Sequence, residues 1–274
     1  MRVYAGLSFT VLLLACLLGF TARPVQADTQ PLKQVVLFGD SLAHEAGIAG
    51  GVNFLPQDRF VLTNRTISGT SPCDWTKKLD TQPLGFTPDI VLIETAGNNR
   101  SSCQRINGEF LVKNSPAYFK MYKEHLQGLI DKFPKTTKIY LELAPATKGD
   151  VYGTNKKSML TTMVTLSKRK ANSNVSVYNA GRKLEKPAGK FSLSLKCLKD
   201  FPCTNQPKSG YFIARAPDGV HFCPDLPPLD DSDNPRNGGN GSSLDNCKVV
   251  SVGAMIFASE LAAPVLRDYP APVS

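Results

Sequence analysis

The chain has 274 residues, 42% of them apolar, and a formal charge of +9. That length suits one α/β domain, or at most two small ones, at ~100–200 residues per domain. Its lysines are scattered, without the interleaved aromatics that would suggest nucleic acid, so no nucleic-acid partner is expected. The basic surplus reads as an ordinary solvated surface, with attraction to an anionic envelope or polysaccharide as the alternative.

Residues 1–27 read as an export signal. Arg2 gives a thin positive start, Val11 to Leu18 form a short apolar core, and Val25-Gln26-Ala27 ends in a small residue. The apolar stretch is too short and interrupted for a spanning helix of ~20 residues. That disfavours a retained anchor and predicts no stable membrane span after cleavage. Lipidation at Cys16 is opposed by the apolar residues Leu17, Leu18 and Phe20 that follow it. The expectation is a domain of residues 28–274 that is secreted, or held in the periplasm or cell envelope. Six cysteines then remain: Cys73, Cys103, Cys197, Cys203, Cys223 and Cys247. An even count in an exported chain suggests three disulfides, whose connectivity stays open at this point. No C-x-x-C pair supports a zinc or thioredoxin-like site.

Strands and helices alternate along the chain. A buried strand is predicted over 34–38, followed by a helix over about 41–50. Strands follow over 60–67 and 90–94, the latter introduced by Pro88-Asp89. Ser115-Pro116 is a capping serine before a proline at the first helical position. The helix they open carries Phe119, Tyr122, Leu126, Leu129 and Ile130 at helical spacing up to Phe133. A strand over 138–143, a helix over 156–170 and a strand over 175–178 continue the alternation. Residues 181–250 break it, holding four of the six cysteines and a stretch rich in Asp, Asn, Gly and Ser. A segment this long and irregular is usually functional or tied down. A helix over 249–266 closes the pattern, which implies a parallel sheet between two helical layers.

Two short strings carry the chemistry. Gly39-Asp40-Ser41-Leu42 directly follows the apolar run Val35 to Phe38. A serine there stands at the carboxyl edge of a sheet and at a helix N-terminus, where partial positive charge favours a developing oxyanion. Asp218-Gly219-Val220-His221 supplies an acid and an imidazole three residues apart, close enough for the carboxylate to hold Nδ1–H. Serine, imidazole and carboxylate are the parts of an acyl-transfer site. The chain has only three histidines. His44 falls in the helix after Ser41 and His125 in an amphipathic helix, so both read as surface or packing residues. His221 is the candidate base.

These strings, with two further blocks, resemble the GDSL or SGNH hydrolase family. Gly39 to Leu42 is similar to its nucleophile block and Asp218 to His221 to its acid–base block. Ser68-Gly69-Thr70 resembles the second block, and Gly97-Asn98-Asn99 the Gly-x-Asn block. The blocks occur in family order over residues 39–221. The resemblance implies a three-layer α/β/α sandwich with a flavodoxin-like parallel sheet. It implies Ser41 as nucleophile, His221 as general base and then acid, and Asp218 as its orienter. The Ser41 N–H, the Gly69 N–H and the Asn99 side chain would form the oxyanion hole, and no cofactor or metal is needed. One departure is Arg100, which stands where many members carry aspartate. A solvated arginine is one reading of it, and a contact to an anionic or sugar substrate the other.

On this resemblance Cys73 and Cys103, each four residues beyond an oxyanion block, would staple the two loops together. Cys197 would pair with Cys203, and Cys223 with Cys247. The implied activity is hydrolysis of carboxylic esters, with short acyl groups on carbohydrate or envelope polymers as substrates and lipid esters left open. Acyl transfer to a sugar, and a non-catalytic envelope or glycan-binding role, are the alternatives. Sequons at Asn64, Asn99, Asn174 and Asn240 carry little weight.

Overall fold

The structure is a computed structural model, and it describes residues 31–49, 54–95, 98, 100–150, 154–201, 203, 208–223 and 251–271. The expected export signal, Asn99, Asn240 and Cys247 lie outside the described residues. Five parallel strands form the central sheet: β1 (Lys33–Gly39), β2 (Phe60–Thr66), β3 (Ile90–Thr95), β6 (Lys138–Leu143) and β7 (Val175–Tyr178). Their order is β2-β1-β3-β6-β7, the 2-1-3-4-5 arrangement of flavodoxin-like sheets. Between β3 and β6 a small antiparallel hairpin pairs β4 (Arg105–Ile106) with β5 (Glu109–Phe110). A second hairpin pairs β8 (Ser194–Lys196) with β9 (Tyr211–Ile213).

The helices divide between the two faces according to the strand alternation. Val35 and Leu37 of β1, with Leu92 and Tyr140, pack under α1 (Ser41–Ala49) and α5 (Val252–Asp268). Val36 and Phe38, with Val91, Ile93 and Leu141, face α2 (Pro72–Thr81), α3 (Pro116–Ile130) and α4 (Thr154–Ser167). A sheet covered on both faces buries β3 throughout and β1 from Val35 onward, which is why both read as nearly unbroken apolar runs. On the α2–α4 face, Phe38 sits 5.4 Å from the Trp75 ring and 5.8 Å from that of Phe133.

The element bounds follow the sequence pattern closely, with β6 and β7 as predicted. At the start of α3 the Ser115 side chain accepts the N–H of Tyr118, as the Ser-Pro pair suggests. The closing helix begins at Val252, capped by the Ser251 hydroxyl accepting from Gly253. Helix α2 was not anticipated. Within 181–250 the described residues form short 3-10 turns and the β8–β9 hairpin.

Candidate functional site

In a 2-1-3-4-5 sheet the connections leave β1 and β3 on opposite faces, opening a crevice at their carboxyl ends. Ser41 follows β1 at that point as the first residue of α1. The Asp40 side chain caps the turn, its Oδ1 accepting the Leu42 N–H at 3.0 Å. Gly39 is required by the close approach of the strap to the helix. A Cβ there would lie 2.3 Å from Ala43 Cβ and 3.3 Å from a Glu94 carboxylate oxygen.

The loop after β9 reaches the same crevice. His221 Nε2 lies 3.1 Å from Ser41 Oγ, and His221 Nδ1 lies 2.6 Å from Asp218 Oδ2. The other Asp218 oxygen, Oδ1, accepts the N–H groups of Val220 and His221 at 2.9 and 3.0 Å. One carboxylate therefore organises the whole turn. Gly219 has a φ of +74°, and a Cβ on it would meet Lys148 Cβ at 2.5 Å. Only glycine fits there. The turn is fixed further by Lys148 N–H donating to Gly219 O at 2.9 Å and Ala216 N–H donating to His221 O at 2.7 Å.

Electrostatics favour a basic imidazole. Burial pulls the His221 pKa down, but the Asp218 hydrogen bond and the charges of Glu45, Asp218 and Asp40 raise it above its ordinary 6.5. The other two histidines stand apart from this site. His44 is exposed, with Nδ1 3.3 Å from the Thr66 hydroxyl. His125 is half-buried in α3, and burial lowers its pKa.

Of the residues expected to bind an oxyanion, Ser41 heads α1 and Gly69 lies in the β2–α2 loop with φ +78°; Asn99 lies outside the described residues. Its neighbour Asn98 is described and bridges two loops. Asn98 Nδ2 donates to Asp40 Oδ2 at 3.1 Å and to Thr70 O at 3.0 Å, tying the β1, β2 and β3 loops together. The Thr70 hydroxyl shares its proton between Ile67 O at 2.7 Å and Gly39 O at 3.1 Å. Ser71 donates to Asn98 O at 3.0 Å and accepts from Gln104 Nε2 at 3.0 Å. Arg100 is exposed.

A disulfide joins Cys73 to Cys103 and so links α2 to the loop after β3; a second joins Cys197 to Cys203. The pairing of Cys223 with Cys247 falls outside the described residues. Cys73, Asp74 and Cys103 form a group with metal-like spacing, but the disulfide occupies both sulfurs. Beside the crevice, a pocket of about 140 Å³ lies between the ends of β3 and β6. Its lining includes Thr95, Lys113, Asn114, Tyr118 and Asp150. Thr95 ends β3 and Leu143 ends β6, so the pocket opens at the carboxyl edge of the sheet, the edge at which β1 leads into Ser41.

No protein-family model matches the chain, and no curated protein sequence matches it. Solved structures similar to it include TesA, at 12% identity over 86% of this chain and 99% of that one, with a TM-score of 0.48. A GDSL-like lipase from Bacteroides thetaiotaomicron is 13% identical over 69% of this chain and 79% of its own, with a TM-score of 0.44. The catalytic domain of Streptococcus pneumoniae peptidoglycan O-acetyltransferase A is 14% identical over 86% and 94%, also at 0.44.

Proposed function

We propose that this chain is an exported serine ester hydrolase of the GDSL/SGNH type, acting through an acyl-enzyme on Ser41. The observation that carries the reading is the continuous relay from Ser41 Oγ to His221 Nε2 at 3.1 Å and from His221 Nδ1 to Asp218 at 2.6 Å. A hydroxyl becomes a nucleophile when a base within hydrogen-bond reach takes its proton. Asp218 holds Nδ1–H, so Nε2 faces the serine as the acceptor.

In the first half-reaction Ser41 Oγ attacks the ester carbonyl as its proton passes to His221 Nε2. The resulting oxyanion takes hydrogen bonds from the Ser41 and Gly69 N–H groups and from the Asn99 side chain. Collapse releases the alcohol with the proton from the imidazolium, leaving the acyl group on Ser41. Water, deprotonated by the same nitrogen, then frees the acid. Each oxyanion donor in such a site contributes ~3–4 kcal/mol of transition-state stabilisation.

The adjoining pocket supports a short acyl group. Its volume of about 140 Å³ is well below the ~300–1,000 Å³ of sites that hold drug-sized ligands. Lys113, Asn114 and Asp150 give it polar walls suited to an acylated carbohydrate. No helix among the described residues is long and apolar enough to cross a membrane. With the two disulfides, this is compatible with an oxidising, extracytoplasmic setting.

The test is hydrolysis of p-nitrophenyl acetate by the wild-type chain and by Ser41→Ala. The variant is expected to lose ~10⁴-fold or more in kcat. Wild-type activity that survives the substitution would overturn Ser41 as the nucleophile. Absence of both hydrolysis and fluorophosphonate labelling in the wild type would favour a non-catalytic role.

A further inference from the structure

Ser41 and His221 are 180 residues apart in sequence, yet they meet at hydrogen-bond distance. Something must fix the nucleophile helix against the base loop. Side chains four apart on a helix share one face, and Glu45 is four residues beyond Ser41 in α1. Glu45 is 4% exposed, and its Oε2 accepts the N–H of Phe222, the residue after the base, at 2.7 Å. A carboxylate accepting a buried N–H forms one of the stronger kinds of hydrogen bond.

The far side of this contact is equally built. The Phe222 ring is wholly buried, 5.5 Å from the Phe257 ring of α5. The Arg215 guanidinium, 1% exposed, lies 4.6 Å from the Phe222 ring centre. Arg215 Nη2 donates to the carbonyls of Pro145 and Ala146 at 2.9 and 3.2 Å. Its Nε and Nη1 have no hydrogen-bond partner among the described residues. A buried guanidinium so placed depends on nearby negative charge, and Glu45 is foremost among the acids acting on it.

Resting on the serine-hydrolase reading above, we infer that Glu45 is a positioning residue: it clamps the loop carrying His221 onto the helix carrying Ser41, and its charge favours the protonated imidazole. Three charged groups act on it: His221 and Asp218 from the base loop and Arg215 from the end of the β8–β9 hairpin. The charges of Glu185, Glu94 of β3 and Asp218 also act on Arg215. Burial pushes the Glu45 pKa up to about 7, against the lowering effects of His221, the Phe222 N–H and Arg215. The charge of each group acts on the ionisation of the other: His221 lowers the Glu45 pKa and Glu45 raises that of His221.

The experiment compares wild type, Glu45→Gln and Glu45→Ala in the full chain. Glutamine can still accept the Phe222 N–H but carries no charge, whereas alanine removes both. NMR titration of the His221 imidazole is expected to show a lower midpoint in Glu45→Gln, because a negative charge that favours imidazolium has gone. The kcat for a small ester is expected to fall ~10–100-fold in Glu45→Ala, the scale of a ~1 Å misplacement, and by less in Glu45→Gln. KM should change less than kcat. A His221 midpoint unmoved in Glu45→Gln overturns the electrostatic role, and a folded Glu45→Ala with wild-type kcat overturns the clamp. If Glu45→Ala does not fold, Glu45→Gln decides through its midpoint and kcat. The NMR midpoint needs no turnover, so a wild-type chain without esterase activity would refute the catalytic reading while still testing the Glu45–His221 coupling.

Discussion

Glu94 of β3 and Glu142 of β6 stand opposite each other in the parallel register, and both are wholly buried. They follow Leu92 and Tyr140 by two residues, so both point to the face covered by α1 and α5. Burial raises the pKa of each well above 4.5. The charge of Asp40 adds to the effect at Glu94, and that of Glu260 at Glu142. Isolated carboxylates are costly in such a place, so the folded chain favours their neutral acids.

Glu142 is the cleaner of the two to test, because it lies away from the nucleophile strap. Its raised pKa means that the folded state binds a proton that the unfolded state has released above its ordinary value of 4.5. Stability from this group is therefore full below that value and is lost as pH rises toward the folded pKa. Thermal unfolding measured at about pH 5 and about pH 8 should show a smaller drop for Glu142→Gln than for wild type. An equal drop in both would remove Glu142 as a source of the pH dependence.

The Cys73–Cys103 bond closes a loop with a sequence separation of 30, against 6 for Cys197–Cys203. Chain-entropy arguments give ~3–4 kcal/mol for the longer loop and ~2 kcal/mol for the shorter. Cys73→Ala with Cys103→Ala is expected to be the more destabilising pair in chemical denaturation. It should also lower esterase activity, since the bond holds α2 to the loop that carries Asn98. Equal stability losses for the two pairs would refute the loop-length ordering.

The sheet was largely legible because strands covered on both faces leave unbroken apolar runs such as Val35 to Phe38 and Ile90 to Ile93. Helix α2 was missed because its apolar anchors are few: Trp75 and Leu79 four residues apart among Lys, Asp and Thr. The two hairpins have strands of two or three residues, too short for any periodicity. At the site, three histidines in the whole chain made His221 easy to single out. Glu45 gave no such signal. In sequence it is one acid in a short helix, and its significance comes from a backbone N–H 177 residues away. Asn98 reads in sequence only as the middle residue of the Gly97-Asn98-Asn99 block, and its bonds to Asp40 and Thr70 become visible only in the fold.

Those two bonds make a prediction of their own. Asn98→Ala leaves the carbonyl of buried Thr70 without this donor and frees one side of the Asp40 strap, a change that ordinarily costs ~1–3 kcal/mol. The variant is expected to unfold at lower denaturant and to show a reduced kcat. A folded Asn98→Ala with unchanged midpoint and unchanged kcat would show that the three loops need no such tie.

Asp218→Asn probes the acid of the relay while keeping its shape. Asparagine can present either an oxygen or an NH₂ to His221 Nδ1. If the NH₂ faces Nδ1, the proton is driven to Nε2, where it blocks acceptance from Ser41; the corresponding change in a serine protease triad costs ~10⁴ in kcat. The pH profile supplies a second readout. In the wild type the Asp218 hydrogen bond and charge raise the His221 pKa against burial, so kcat/KM should climb through a midpoint above 6.5 as the imidazole loses its proton. Removing the carboxylate charge should move that midpoint to lower pH while the plateau falls. A profile with the wild-type midpoint and plateau would mean that Asp218 neither orients His221 nor stabilises its charge.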